Sequence, residues 1–486
     1  MAQKAIIIGS GIAGIASAIR LTKKGYAVSV FETNDYPGGK LTTIQLGNYR
    51  FDAGPSLFTL PTLVDELFEI AGKNPRDYFN YQQLEMLCHY FYEDGTVLHA
   101  YADQKQLLNE VEKKLQVDSK PLKSYLEHSE YIFERTRHSF LEKSLHKFSS
   151  YISLDILKTV TSMRKLNLFE SMHEVNQTQL NHPKLVQLFD RFATYNGSNP
   201  YKAPGVLNSI PHLEFGIGSF FPQEGMHHIL KACMKLAEEL GVKFQFNERV
   251  RDIQLKNGKV IGIETEKGVY PAELIISNCD VKQTYNQLIP KQKAPKKTME
   301  QEPSSSALIF YWGINQPFPE LDVHNILFSA DYEEEFKAIF NENTVSADPT
   351  VYIHISSKIV SDDAPKGTEN WFVMVNVPSD QGQDWEKLRL RVRQAVIEKV
   401  NRILKTDIES LIEVEDYLDP IRISERTNSF AGALYGASSN DRMAAFFRHP
   451  NFSKVKGLYF AGGSVHPGGG IPLCLLSAKI TTDLID

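Results

Sequence analysis

Ala5-Ile6-Ile7-Ile8-Gly9-Ser10-Gly11-Ile12-Ala13-Gly14 decides the fold. The apolar run predicts a buried strand, and the glycines after it predict a tight turn into a helix that ends near Gly25. A second strand, Ala27-Val28-Ser29-Val30-Phe31, follows and delivers Glu32. Strand, glycine turn, helix, strand and acid, in that order, form a dinucleotide-binding βαβ unit. Gly9 permits the turn. Gly11, with Ala13 beside it, lets the backbone approach a pyrophosphate at the positive end of the helix, and Gly14 lets helix and strand pack closely. Glu32 is placed to accept hydrogen bonds from a ribose.

At 486 residues the chain exceeds one simple core, so two domains interleaved in sequence are expected. With 42% apolar and 23% charged residues it has the composition of a globular protein. A net charge of −6 excludes a general nucleic-acid binder, which needs a clustered basic surface. Cys88, Cys233, Cys279 and Cys474 form no C-x-x-C pair, so neither a disulfide framework nor a metal site is expected, and a reduced cytoplasmic setting fits. No secretory leader precedes the first strand. The longest apolar runs fall far short of the roughly 20 residues that span a bilayer, so any membrane contact is expected to be peripheral.

The pattern divides the chain into a discontinuous nucleotide-binding domain, residues 1–85, 215–300 and 415–486, and a second domain, residues 86–214 and 301–414. Residues 86–214 read as an α-rich insertion with helices at 104–117 and 120–147. Strands are predicted at 242–246 and as a hairpin, 250–255 and 260–265, around Lys256-Asn257-Gly258-Lys259. Further strands are expected at 306–314, 351–355 and 371–377, with a helix at 385–404. The chain closes on a buried strand at 457–463 and a helix that begins after Gly468-Gly469-Gly470-Ile471-Pro472.

Four segments carry a family resemblance: Tyr36-Pro37-Gly38-Gly39-Lys40-Leu41, Phe51-Asp52-Ala53-Gly54-Pro55-Ser56-Leu57-Phe58, Phe221-Pro222-Gln223-Glu224-Gly225-Met226, and Phe460-Ala461-Gly462-Gly463-Ser464-Val465-His466-Pro467-Gly468-Gly469-Gly470-Ile471-Pro472. With the opening glycine unit they resemble the phytoene desaturase-like carotenoid oxidoreductases, and within that family the bacterial hydroxycarotenoid 3,4-desaturases. The resemblance implies an α/β fold with a Rossmann-type FAD-binding domain, glutathione reductase/amine oxidase-like, and an interleaved α+β substrate domain. It implies that Gly39 and Leu41 pass close to FAD with Lys40 as a cation near its phosphates. A plain Pro-Gly turn with a solvated lysine is the other reading. Ser56 and Leu57 would reach the flavin region. Val250 would meet the adenine through its main chain or serve only as core. Asn278 stands at the carboxyl end of a strand, where α/β sheets bind ligands. Gly463 ends the last strand, and Gly470 and Ile471 open a helix whose N–H groups would face the pyrimidine edge of the flavin. Gly463 and Ser464 stand where many flavoenzymes carry an acid. His466 is a base or a residue that only caps and packs.

The resemblance further implies a hydride loss from a carbon beside a polyene, which spreads the resulting charge, followed by loss of a proton to a weak base. The carotenoid substrate would come from a membrane. Residues 140–172 offer an access surface, because Phe140, Leu141, Leu145, Phe148, Ile152, Ile156, Val160, Met163, Leu166 and Phe169 alternate with basic residues at roughly helical spacing. A half-buried core helix gives the same pattern. Arg191 and the segment Phe192-Ala193-Thr194-Tyr195-Asn196-Gly197 line the substrate tunnel on one reading and form core or loop on the other. Desaturation of a 1-hydroxylated carotenoid at C3–C4, desaturation of phytoene, redox-neutral carotenoid isomerisation and non-enzymatic lipid escort all use this fold. The intact Gly9, Gly11, Gly14, Glu32 and Gly470 set argues against the escort.

Overall fold

A computed structural model describes residues 2–144, 146, 163–441 and 448–485. The opening motif folds as its sequence dictates: strand Lys4–Ile8, helix Ile12–Lys23 and strand Ala27–Phe31, the two strands parallel in register from Lys4/Ala27 to Ile8/Phe31. Three more strands join them, giving the order Leu458–Phe460, Leu274–Ser277, Lys4–Ile8, Ala27–Phe31, Lys243–Gln245, all parallel. Because every strand runs the same way, all five carboxyl ends share one edge, and there a doubly wound sheet opens a crevice. Helix Ile12–Lys23 packs against the terminal helix Ile471–Asp483. Ile7, Ile15, Ile19, Val30, Ile276 and Ala478 form the dry core of this half.

The predicted hairpin is present as antiparallel strands Val250–Lys256 and Lys259–Thr265. Asn257 and Gly258 turn it at φ +53° and +74°, the left-handed pair that a two-residue hairpin of right-handed twist requires.

The second half is built on a seven-stranded sheet in the order Ile412–Leu418, Ser306–Ile314, Glu369–Val377, Val351–Ile355, His324–Leu327, Met86–Phe91, Val97–Tyr101. Side chains alternate across a strand, so register divides the sheet into two faces. Phe310, Trp312, Ile353, Trp371, Val373 and Val375 point into a sealed core under helix Trp385–Leu404. The opposite face carries Cys88, Ile309, His324, Ile326, Tyr352, Phe372 and Met374 and borders a cavity.

Three expectations change. Residues 86–101 form a β-hairpin on the sheet edge ahead of the helices, because Met86-Leu87-Cys88-His89-Tyr90-Phe91 is a buried strand and Gly95 turns the chain at φ +84°. The helix expected at 120–147 spans Lys120–Thr136 and passes into a π-helical turn, Arg137–Leu141; the Thr136 hydroxyl donates back to the Ile132 carbonyl, an interaction that bends helices. The boundary placed between 414 and 415 falls inside strand Ile412–Leu418, which belongs to the seven-stranded sheet. Of the expected access surface, residues 145 and 147–162 lie outside the described residues.

Candidate active site

A cavity of about 510 Å³ lies between the carboxyl edge of the parallel sheet and the open face of the seven-stranded sheet. Gly9, Gly11, Ala13, Glu32, Gly39, Lys40, Leu41, Ser56, Leu57, Val250, Asn278, Gly463, Gly470 and Ile471 all border it. Gly14 does not, for the reason its sequence position gives: a Cβ there would lie 2.3 Å from the Gly9 carbonyl oxygen.

At the nucleotide end the Gly9 N–H donates to the Phe31 carbonyl, 2.8 Å, at φ +96°, which turns the chain sharply off the strand. A Cβ on Gly11 would meet Asn278 Oδ1 at 2.7 Å, so this surface is kept bare. Asn278 brackets the turn, its backbone N–H donating to the Ile8 carbonyl and its Nδ2–H to the Ala461 carbonyl, each at 2.8 Å. Helix Ile12–Lys23 has no capping side chain and no acid in its first turn, so its N-terminal N–H groups are left for an anion. Glu32 accepts from the Ser10 N–H at 2.9 Å, the Ser10 hydroxyl at 2.7 Å and the Asn34 N–H at 3.0 Å, which fixes the carboxylate while leaving lone pairs for a diol. Val250 belongs to the core around Ile6, Ile8 and Phe31 and also borders the cavity.

The terminal helix points its start at the same cavity. Gly470 caps it at φ +99°, again with no capping side chain and no acid in the first turn. Ser464 occupies itself elsewhere, its hydroxyl accepting from the Val281 N–H at 2.9 Å. Lys40 is half-buried, and its ammonium donates to the Ala433 and Leu434 carbonyls at 2.9 and 2.7 Å. Burial lowers its pKa to about 8, against the pull of Asp280. Lys40 is thus no solvated turn lysine: two of its three ammonium donors tie the double-glycine segment to residues 433–434, and the residue still borders the cavity.

His466 is not brought to the cavity. It is buried, Nε2 lies 3.0 Å from the Lys143 carbonyl, and burial lowers its pKa to about 4. Of the two readings left open for His466, base or packing residue, its burial behind the terminal turn favours packing. Arg191, Thr194 and Tyr195 border the cavity, whereas Phe192 and Ala193 of the same segment are buried in the core.

Sequence reading missed several of the cavity's residues. Glu425, Arg426, Asn428, Leu434 and Tyr435 come from a stretch with no motif. Arg448, which donates to the carbonyls of Tyr435, Ala437 and Gly463 and so ties that stretch to the terminal turn, carries only the signal of an arginine in an apolar setting. Glu214, His324 and Tyr352 are also new to the site.

The bare glycine surface, the two uncapped helix starts and the fixed carboxylate suit a flavin dinucleotide: anion at one helix, ribose at Glu32, flavin edge at the other. The comparisons agree. The chain is 53% identical to the 1-hydroxycarotenoid 3,4-desaturase of Flavobacterium sp. (strain P99-3), over 99% of both chains. It is 32% identical to a 4,4'-diapolycopene oxygenase of Methylomonas sp., over 99% of this chain and 98% of that one. An oxidoreductase structure from Methanosarcina mazei shares the fold, with a TM-score of 0.64 at 15% identity over 99% of this chain and 100% of that one. Residues 12–485 match the flavin containing amine oxidoreductase family, and the chain is a member of that family, an FAD-dependent oxidoreductase.

Proposed function

We propose that this protein is an FAD-dependent carotenoid desaturase that introduces the C3–C4 double bond into a 1-hydroxylated carotenoid. The 53% identity to a 1-hydroxycarotenoid 3,4-desaturase across both whole chains carries the reading. Bound FAD supplies the two-electron acceptor that removal of hydrogen from a C–C bond requires. Gly11, Ala13 and Glu32 would hold its pyrophosphate and ribose, Ser56, Leu57, Gly463, Gly470 and Ile471 its flavin half, and Val250 its adenine.

The chain's own contribution is placement. Ile309, Ile326, Phe372 and Met374 give the polyene an apolar wall on a rigid sheet face, facing the loop of Ser56 and Leu57. Holding the reacting C–H bonds at a fixed distance from the acceptor removes the orientational part of the barrier. The same wall excludes water, which would quench charge on the polyene.

Peripheral membrane attachment belongs to this proposal. No helix among the described residues is long and apolar enough to cross a membrane. Phe169, 62% exposed, ends the basic and apolar stretch at 140–172. The function is tested with FAD-loaded protein in liposomes. A 1-hydroxylated carotenoid is expected to lose two hydrogens and shift its absorption to the red. Turnover of phytoene instead, a product of unchanged mass, or gain of oxygen would replace the reading with a phytoene desaturase, an isomerase or an oxygenase.

A further inference from the structure

The cavity that should take a hydrocarbon has charge in its wall. Arg191, Glu214, His324 and Tyr352 all border it. Arg191 is buried among aromatic rings, with its guanidinium carbon 5.4 Å from the Tyr90 ring centre, 4.5 Å from Phe192 and 5.3 Å from Tyr195. Its Nη2–H donates to the Tyr90 hydroxyl at 2.8 Å and lies 3.7 Å from Glu214 Oε2. Its Nε has no hydrogen-bond partner among the described residues. His324 Nδ1 is 2.7 Å from the Tyr352 hydroxyl, and Nε2 has no partner among the described residues.

Buried polar atoms are ordinarily satisfied, and an ion pair in an apolar wall stabilises a fold poorly against hydrophobic packing of the same volume. Two unpartnered polar atoms beside an ion pair, on residues that border one cavity though neither atom is itself open to it, therefore mark a place where a ligand completes the bonding after a small rotation of these side chains. The required ligand group both donates and accepts. Arg191 offers only a donor, Glu214 an acceptor, and His324 Nε2 either, according to which of Nδ1 and the Tyr352 hydroxyl carries the shared proton. A hydroxyl meets all three demands.

We infer that Arg191, Glu214 and His324 form the subsite that recognises the terminal hydroxyl of the carotenoid, an inference that rests on the 1-hydroxycarotenoid reading and names the groups that read the substrate. Position agrees with this. C1 is separated from C3 by a single carbon, so a site that grips the hydroxyl must adjoin the groups that face the flavin. The Tyr352 hydroxyl, bonded to His324, is also 2.8 Å from Ser56 Oγ, on the loop that borders the cavity with Lys40 and Gly470. Register brings the two arms together: His324 and Tyr352 stand on adjacent strands of the open face, and Arg191 and Glu214 come from the helical segments packed over it.

The test compares a 1-hydroxylated carotenoid with its counterpart lacking the hydroxyl, on FAD-loaded protein. Binding is followed by the shift of the polyene absorption and turnover by kcat/KM. The variants are the double Arg191→Leu/Glu214→Leu, which leaves no single buried charge, and His324→Phe, which keeps a flat ring against Tyr352. The wild type is expected to prefer the hydroxylated compound, the Arg191/Glu214 double variant to reduce that preference roughly ten- to hundred-fold, the range for a hydrogen bond to a charged group, and His324→Phe to reduce it roughly two- to tenfold, because burial keeps that imidazole neutral. A preference that survives in both variants, or equal loss on both compounds, overturns the subsite. Wild-type binding that favours the hydroxyl without desaturation would instead overturn the desaturase reading and leave the subsite standing. Equal desaturation of both compounds would do the reverse.

Discussion

Glu32 is the residue on which the nucleotide reading turns. Its carboxylate satisfies both donors of Ser10 and the N–H of Asn34, so it shapes the glycine turn as well as facing the cavity. Glu32→Ala is expected to weaken FAD binding roughly ten- to hundred-fold, the range for losing hydrogen bonds to a charged acceptor, and to lower the flavin-to-protein absorbance ratio after gel filtration. Unchanged flavin content would contradict the ribose assignment. Glu214 gives a pH signature. Burial outweighs the attraction of Arg191 and raises its pKa to about 7. An acid whose pKa rises on folding holds its proton more tightly in the folded state, so its contribution is fully present below the unfolded carboxylate range and is lost as pH rises through about 7. The Tm of the wild type is therefore expected to fall relative to that of Glu214→Gln between about pH 4.5 and 7 and to run parallel above that. A constant difference across this window would show that Glu214 ionises as an ordinary carboxylate.

At the scale of elements, two helix starts and one sheet face make the site. Helices Ile12–Lys23 and Ile471–Asp483 lie side by side, both without capping side chains at the carboxyl edge of the parallel sheet. The first depends on contact closer than any side chain allows. Gly14→Ala would drive a Cβ to 2.3 Å from a backbone oxygen, which only a shift of helix against strand relieves. Overpacking of this kind costs about 1–3 kcal/mol, and here it also displaces the N–H groups that would face the pyrophosphate. Gly14→Ala is expected to lower Tm and flavin content together, as thermal unfolding and absorbance would record. Loss of stability with full flavin occupancy would separate Gly14 from the cofactor.

These elements were legible because their signals are local. The Gly9–Gly14 spacing, the Asn257-Gly258 turn and the strands at 306–314 and 351–355 each need only neighbouring residues to specify them. The substrate end was not legible. Arg191, Glu214, His324 and Tyr352 are brought to one cavity by strand register and helix packing across more than a hundred residues, and no one segment announces the cluster. Lys40 was found as a site residue, but its partners are backbone carbonyls, which no sequence pattern marks. His466 sits in the most specific motif of the chain and still points away, because a motif records proximity to a site and not the direction of a side chain.

The whole molecule joins two unlike surfaces around one cavity: a parallel edge that suits a charged nucleotide and a sheet face that suits a polyene. The proposed function includes drawing an apolar substrate from lipid. If the stretch at 140–172 makes that contact, replacing Lys143, Lys158, Arg164 and Lys165 with glutamate is expected to reduce cosedimentation with anionic vesicles, by about 1 kcal/mol for each basic residue near the surface. Undiminished cosedimentation would assign the stretch to the core. The most direct test of the account is anaerobic mixing of the FAD-loaded protein with a 1-hydroxylated carotenoid, following flavin and polyene absorption together. Oxidised flavin is expected to bleach as the polyene shifts to the red, with one desaturated molecule, lighter by two hydrogens, for each flavin. Product without flavin bleaching, or bleaching without loss of mass, would contradict it.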